Sequence, residues 1–490
     1  GYKKLNSANL PDPTILLPNQ HFNTVLYSGD GNSTKSITGV GFKSDWLWLK
    51  GRNTNYSHLL YDAVRGAGLE KGLNSNETRA EGSVVGDNST FGYLNSFDSD
   101  GFSVTKGSDS TSYTNGGSST YVAWNWNAGD TDGKTYTVKV VSDGGNKYRF
   151  DDFGTSAVTL DLAEGGTYIF DGADSSMASH PIKLSETSNG THGGGSSYNT
   201  GVTYLLDGAS VTESAYVSGY SSATTRQLKI VVAASAPTLY YYCHYHSGMG
   251  GQANTNSTLG SSNFDGSTQS TAKVNATAGF SIVTYTGTGS LTTLGHGLGV
   301  APQVVITKPR SATGSWGVLH TVGDPTAENR LHLNDNGGYS SYQGYKLWGD
   351  TVPTSSVFTV REDASTNASS VTYVAYVLSE VAGYSKFGKY TGNASDNGTF
   401  VFTGFRPAWI MFKSSNANVG WYILDNKRNP SNVVNKHLRA DSSGSEQTDT
   451  FADFLSNGFK FRTSDSSGNT DYNYIYFAFA EAPFKNARAR

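Results

Sequence analysis

The only cysteine of the chain lies in the run Tyr240-Tyr241-Tyr242-Cys243-His244-Tyr245-His246-Ser247-Gly248-Met249. A thiol, two imidazoles and a thioether thus share one short loop behind an aromatic strand. Soft sulfur beside imidazole suits copper, and two His, one Cys and a weak axial Met form the donor set of an electron-transfer copper site. The second His of such a set is available upstream, in Ala178-Ser179-His180-Pro181-Ile182-Lys183-Leu184, at the edge of an apolar strand. A lone cysteine excludes an intramolecular disulfide. His244 and His192 are expected beside the ligands or towards solvent, and Tyr245 as a packing residue.

The segments that must position this loop read as β throughout. The chain has 490 residues with 58 Gly, 30 Tyr, 23 Phe and only 16% charged residues. That composition favours strands and tight turns over long amphipathic helices. Short apolar runs recur on a common plan. Val25-Leu26-Tyr27-Ser28-Gly29, Trp46-Leu47-Trp48-Leu49-Lys50 and Tyr121-Val122-Ala123-Trp124 return as Lys389-Tyr390-Thr391-Gly392, Trp409-Ile410-Met411-Phe412-Lys413 and Tyr476-Phe477-Ala478-Phe479-Ala480. A more diverged copy runs through Thr284-Tyr285-Thr286-Gly287, Val304-Val305-Ile306-Thr307-Lys308 and Tyr373-Val374-Ala375-Tyr376. Equivalence is expected for Tyr27 with Tyr390, Phe42 with Phe405, Lys50 with Lys413, and Phe102 with Phe459.

The expected organisation is an extended arm over 1–20, sandwich repeats over 21–129, 279–384 and 385–485, and a different β domain inserted over 134–256. A Ser/Thr/Asn/Gly-rich linker is expected over 257–278 and a short basic tail over 486–490. The fold class expected is all-β, in tandem antiparallel sandwiches.

Other constellations read as structural. Asp98-x-Asp100 matches Ser456-Asn457-Gly458 of the last repeat, and Asp-Gly and Asn-Gly are tight-turn chemistry. Asp62 with Arg65, and Asp425 with Arg428, are expected as exposed ion pairs worth about 0–1 kcal/mol. The Trp set belongs in a core or an interface. Gly129–Lys134 has one residue too few between its glycines for a phosphate loop and enters a strand. No catalytic motif is present, so the chain is not expected to be an enzyme. A net charge of −4 without a basic stripe disfavours nucleic acid, and no apolar run approaches a membrane span.

Two family resemblances rest on these residues. The 134–256 block resembles a cupredoxin, through Gly165-Gly166-Thr167-Tyr168-Ile169-Phe170 followed by His180, and through Cys243-x-x-His246 with Met249. The resemblance implies one copper ion held by His180, Cys243, His246 and Met249, with Met249 unusually close in sequence to His246. The repeats resemble the concanavalin-like, lectin-like sandwich modules of marine bacteriophage and cyanophage tail-fibre and appendage proteins, through Tyr27-Ser28-Gly29-Asp30-Gly31, Ser99-Asp100-Gly101-Phe102, Tyr121-Val122-Ala123-Trp124 and Glu481-Ala482-Pro483-Phe484. That resemblance implies a virion structural protein on the extracellular particle surface. It implies a tail fibre or appendage, homo-oligomeric with a trimer foremost, touching other virion proteins and binding a host-surface glycan. A capsid decoration protein and a copper electron-transfer protein are the alternative readings.

Overall fold

In the computed structural model, the described residues are 12–84, 86–129, 133–255, 259–340 and 346–484. The chain is all-β, with one α-helix among the described residues, Glu213–Gly219, of about two turns. No helix among them is long and apolar enough to cross a membrane. Two compact units form: one from residues 1–128, 275–292 and 298–490, the other from 129–274 and 293–297. The arm segment 1–11, the tail 486–490 and part of the rejected phosphate-loop motif lie outside the described residues.

All three repeats lie in the first unit, and each builds an inner sheet in the same strand order. The first runs Phe22–Ser28, Thr120–Trp126, Trp46–Gly51, Leu59–Asp62; the second Phe280–Thr286, Thr372–Leu378, Val304–Pro309, Gly317–His320. The third runs Ser385–Thr391, Asn473–Pro483, Phe405–Ser414, Tyr422–Asp425. Register agrees residue by residue: Tyr27 pairs with Tyr121, Tyr285 with Tyr373, and Tyr390 with Tyr474. Each pair stacks its rings, at 4.8, 5.1 and 4.9 Å. Lys50, Lys308 and Lys413 are likewise equivalent, opposite Val122, Val374 and Ile475. The Asp98–Gly101 and Leu455–Gly458 pairs close two-residue hairpins whose tips are Ser99-Asp100 and Ser456-Asn457 rather than Asp-Gly and Asn-Gly, the glycines opening the returning strands and placing Phe102 and Phe459 alike.

Alternation along these strands feeds two cores. Trp46 and Trp48 enter one cluster together with Trp124, Trp126, Tyr376, Trp409, Trp421 and Phe477 from all three repeats. Leu47 and Leu49, facing the other way, pack on Ile37, Phe102 and Val104 of the first repeat alone. Burial on both faces explains why Trp46–Gly51 is buried at every position and reads as a continuous apolar run. All eight Trp are buried in this unit. The aromatic faces of the three repeats meet within the chain, so the Trp set lies in a shared core and no Trp among the described residues is exposed. Ile15, in the segment read as an arm, is buried in the shared core.

The repeats close on one another in cyclic order. Trp316 Nε1 of the second donates to Asn74 O of the first at 2.8 Å, and Trp421 Nε1 of the third to His332 O of the second at 2.8 Å. His58 Nε2 of the first donates to Arg439 O of the third at 2.9 Å. Backbone bonds repeat the cycle: Glu81 N to Arg310 O, Tyr339 N to Ser415 O, and Glu446 N to Arg52 O, at 2.7–2.8 Å.

These seams overturn the reading of the Asp–Arg pairs. Asp62–Arg65 and Asp425–Arg428 each meet at 2.5 Å with both side chains fully buried. The next repeat covers them: Tyr376 Oη donates to Asp62 at 2.8 Å, and Trp124 Nε1 to Asp425 at 3.1 Å. Arg310–Glu81 and Arg52–Glu446 ion pairs continue each set across its seam. The remaining seam exchanges every member. Phe477 stands where Tyr376 and Trp124 stand and has no proton to donate, and a carboxylate opposite it would be buried short of a partner. The position carries His320 instead, its ring 5.2 Å from that of Phe477. Gly323 replaces the arginine, and a Cβ there would lie 2.3 Å from Tyr339 Oη, so the tyrosine fills the guanidinium's room.

The second unit is a two-layer sandwich. One sheet orders Leu160–Asp161, Gly251–Asn254, Leu239–Cys243, Ile182–Ser185; the other orders Ala209–Val211, Val202–Leu206, Arg226–Val231, Thr167–Asp171, Gly133–Ser142, Asn146–Phe150. Tyr136, Val138, Leu228 and Ile230 face Ile182, Leu184, Leu239 and Tyr241 in one core. Two pairings are parallel, Thr167–Asp171 with Gly133–Thr137 and Leu160–Asp161 with Ala253–Asn254, so this sandwich is mixed rather than antiparallel.

The described part of the expected 257–278 linker, 259–278, is structured. Ser261–Asn263 and Ser270–Asn275 are strands, and Phe264 is buried in the second unit's core. Polar side chains there have partners in the second unit: Ser262 Oγ accepts from Asp161 N at 2.8 Å, and Thr271 Oγ1 donates to Asp161. Composition alone misses this because one aromatic anchor and backbone pairing suffice to order a polar segment.

Candidate metal centre

Local chain geometry brings the donors together. Asp174 caps the short turn Ser175–Met177 by accepting from Ser176 N, and His180 N donates to Met177 O at 2.8 Å. The chain then enters Ile182–Ser185, whose first residue pairs with Cys243. His180 therefore stands two residues from the point opposite Cys243. Beyond Cys243 the backbone crosses over, with His244 N donating to Pro181 O at 2.9 Å, and returns as Gly251, paired with Tyr241. A Cβ at Gly250 would sit 1.7 Å from Tyr241 O, so only glycine lets the loop close this tightly.

Within this frame Cys243 Sγ lies 3.8 Å from His180 Nδ1 and 3.5 Å from His246 Nδ1. The two imidazole rings are 4.6 Å apart, and the three ligand atoms lie within 4.8 Å of one another. Cys243 and His180 are buried, while His246 is at the surface. With metal–sulfur near 2.3 Å and metal–nitrogen near 2.0–2.1 Å, sulfur and nitrogen ligands stand about 3.6 Å apart at a tetrahedral angle and about 3.8 Å at a trigonal one. Both sulfur–nitrogen separations fall at these values, as ligation of one shared ion would require. Burial, and next the neighbouring His246, hold the His180 imidazole below the ordinary histidine range, which favours the neutral form that ligates. Met249 is buried in the same core as Cys243, so the loop turns its thioether inward.

Residues outside the motif hold the loop. Asn189, in a left-handed conformation (φ 61°), donates through Nδ2 to Ser247 Oγ and accepts from Gly248 N, both at 2.8 Å. Lys147 Nζ donates to Gly248 O, and Tyr148 N donates to Met249 O at 3.0 Å. Tyr148 Oη donates to His180 O at 3.0 Å, and His192 Nε2 bonds Cys243 O at 3.1 Å. His192 is thus a supporting residue, as expected. Asn189 and Tyr148 carried no signal in the sequence beyond an Asn-Gly turn and a strand tyrosine. Tyr245 departs from expectation: it is 53% exposed, because the loop has no strand pairing to alternate its side chains inward.

The chain matches a family described as a domain of unknown function, DUF7483, over residues 17–147 and 253–483, and belongs to that family. No curated protein and no solved structure matches it. The matched segments contain the three repeats and stop on either side of 148–252, which holds His180, Cys243 and His246.

Proposed function

We propose that this chain is a structural β-scaffold protein of a phage particle, an appendage or tail fibre, that carries one copper ion in its inserted domain. The observation that carries the metal reading is the convergence of Cys243 Sγ with His180 Nδ1 and His246 Nδ1 at 3.5–3.8 Å on backbone-fixed loops. His180, Cys243 and His246 would hold the ion, with Met249 beside them. Copper bound there would supply a redox-active centre and a cross-link between the Pro181 edge and the Cys243–Met249 loop. Binding free energy at such a link adds to folding free energy. The particle reading rests on the resemblance of the repeats to phage appendage modules, and a scaffold role accords with three repeats closed around one core.

Titration of the full chain with Cu(II) and Cu(I), read by bound-metal stoichiometry and visible absorption, tests the site. One ion per chain with thiolate-to-copper absorption is expected. Equal binding by the Cys243→Ser variant would overturn it. Labelling of intact particles with an antibody against the chain tests the location, and label confined to the capsid face would replace the appendage reading with decoration.

A further inference from the structure

Two buried histidines at the seams of the first unit, His58 and His320, lean on the third repeat, and both are held in the same uncharged form. His58 accepts the Trp48 indole N–H at Nδ1 (2.8 Å), so its proton is on Nε2, where it donates to Arg439 O of the third repeat at 2.9 Å. His320 accepts Gly323 N at Nδ1 and donates through Nε2 to Tyr476 O of the third repeat, each at 3.2 Å. Both rings are fully buried. A second proton on either ring would set N–H against N–H at Nδ1 and leave an imidazolium inside the core.

The seam between the first and second repeats is built without such a ring. There the indole of Trp316 takes the place of His58, and the buried Asp62–Arg65 pair takes the place of His320. We propose that acid opens the ring of repeats at one place only, undocking the third repeat from both neighbours while the first and second stay joined.

The surrounding charges act in the same direction. His58 faces Lys50 and Arg428, and Arg428 is engaged with Asp425 and Glu446; Lys389 is the charged group acting on His320. Cations near both rings oppose a further positive charge, and burial does so more strongly. His320 is held down to about 4 against an ordinary value of 6.5. At pH 4.5 this one group favours the opened form about 70-fold over its balance at pH 7.4. Opening would expose Trp409, Phe477 and Phe479 of the shared core, an aromatic face that neutral pH keeps covered.

Hydrogen exchange on the full chain at pH 7.4 and 4.5, corrected for intrinsic rates, reads each seam separately. Peptides spanning Asn473–Pro483 and Arg439–Ala440 are expected to lose protection by at least about 70-fold on acidification. Peptides spanning Leu73–Asn76 and Gly314–Trp316, at the first–second seam, should change less than about tenfold. The His58→Gln/His320→Gln variant keeps one donor and one acceptor at each position without titrating, and should hold the third repeat closed at pH 4.5. Equal loss of protection at all three seams, or an unaltered acid response in the double variant, overturns the proposal. Deuterium exchange at the imidazole C2 positions of the wild-type chain gives a readout independent of any variant. His58 and His320 titrating at or above 6.5 would overturn it equally.

Discussion

Replacing Arg65 by Met isolates what a buried seam charge is worth. The Arg65 guanidinium reaches Asp62 Oδ2 at 2.5 Å, Lys71 O at 2.5 Å and Leu60 O at 3.1 Å, and lies 3.7 Å from Glu81. Methionine fills much of the volume but answers none of these acceptors. Asp62, fully buried, keeps the Tyr376 hydroxyl and the Arg65 backbone N–H as its donors. Removing one partner of a buried pair typically costs about 3–5 kcal/mol, because the remaining charge is stranded. An exposed pair would cost about 0–1 kcal/mol. The two expectations do not overlap. Urea unfolding followed by tryptophan fluorescence measures the difference cleanly, since all eight Trp belong to the first unit. The chain itself supplies the control, a seam that works without charge. The graft Asp62→His/Arg65→Gly/Glu81→Tyr/Tyr376→Phe copies the His320–Gly323–Tyr339–Phe477 arrangement onto the first–second seam. It is expected to recover most of the loss, ending within about 1.5 kcal/mol of wild type, as volume-conserving core exchanges do. A cost below about 1 kcal/mol for Arg65→Met, or a graft no more stable than the single variant, would refute the seam argument.

Cys243→Ser should abolish one-to-one copper binding in metal analysis while tryptophan fluorescence of the repeats stays native. Asn189→Ala leaves Gly248 N and the Ser247 hydroxyl without their partner, and copper affinity is expected to fall about 10–100-fold with the fold retained, measured by competition with a chelator of known affinity. Gly287→Ala puts a Cβ 2.2 Å from Ala368 O, a backbone atom that cannot swing away; a loss of about 1–3 kcal/mol is expected in the same urea assay. His320 has a folded-state value near 4, below its unfolded one, so its share of stability is complete above pH 6.5 and disappears as pH falls towards 4. The wild-type chain should therefore lose about 3 kcal/mol more than His320→Gln between pH 7 and pH 4, read from paired unfolding curves.

Much of this architecture was legible because the strand cores kept their residue types. Tyr27 and Tyr390, and Lys50 and Lys413, mark the same register positions in the outer repeats, and the Tyr373–Tyr376 run identifies the third copy. The middle repeat looked diverged for a reason the sequence could not display. Its His320 and Gly323 answer Phe477 and Tyr339, residues far away in the chain that touch them only after the ring closes. The same blindness misplaced the Asp–Arg pairs, since an i,i+3 charge pair looks identical whether water or Tyr376 covers it. At the candidate metal loop, residue types singled out His180, Cys243 and His246, and strand pairing brings these three together. The supports Asn189 and Tyr148 were hidden because they lie far from the loop in sequence and act largely on its backbone, which no side-chain motif encodes.

A ring assembled from three separate, identical subunits would be bound to uniformity, since any change of sequence would recur at every junction. Joined head to tail in a single polypeptide, the three positions are free to drift apart. One junction has exchanged its ions for aromatic rings, and one has accepted histidine in place of tryptophan. The same freedom extends to the insertion: the block holding His180, Cys243 and His246 interrupts the succession of repeats once, where a threefold assembly would have to carry it three times.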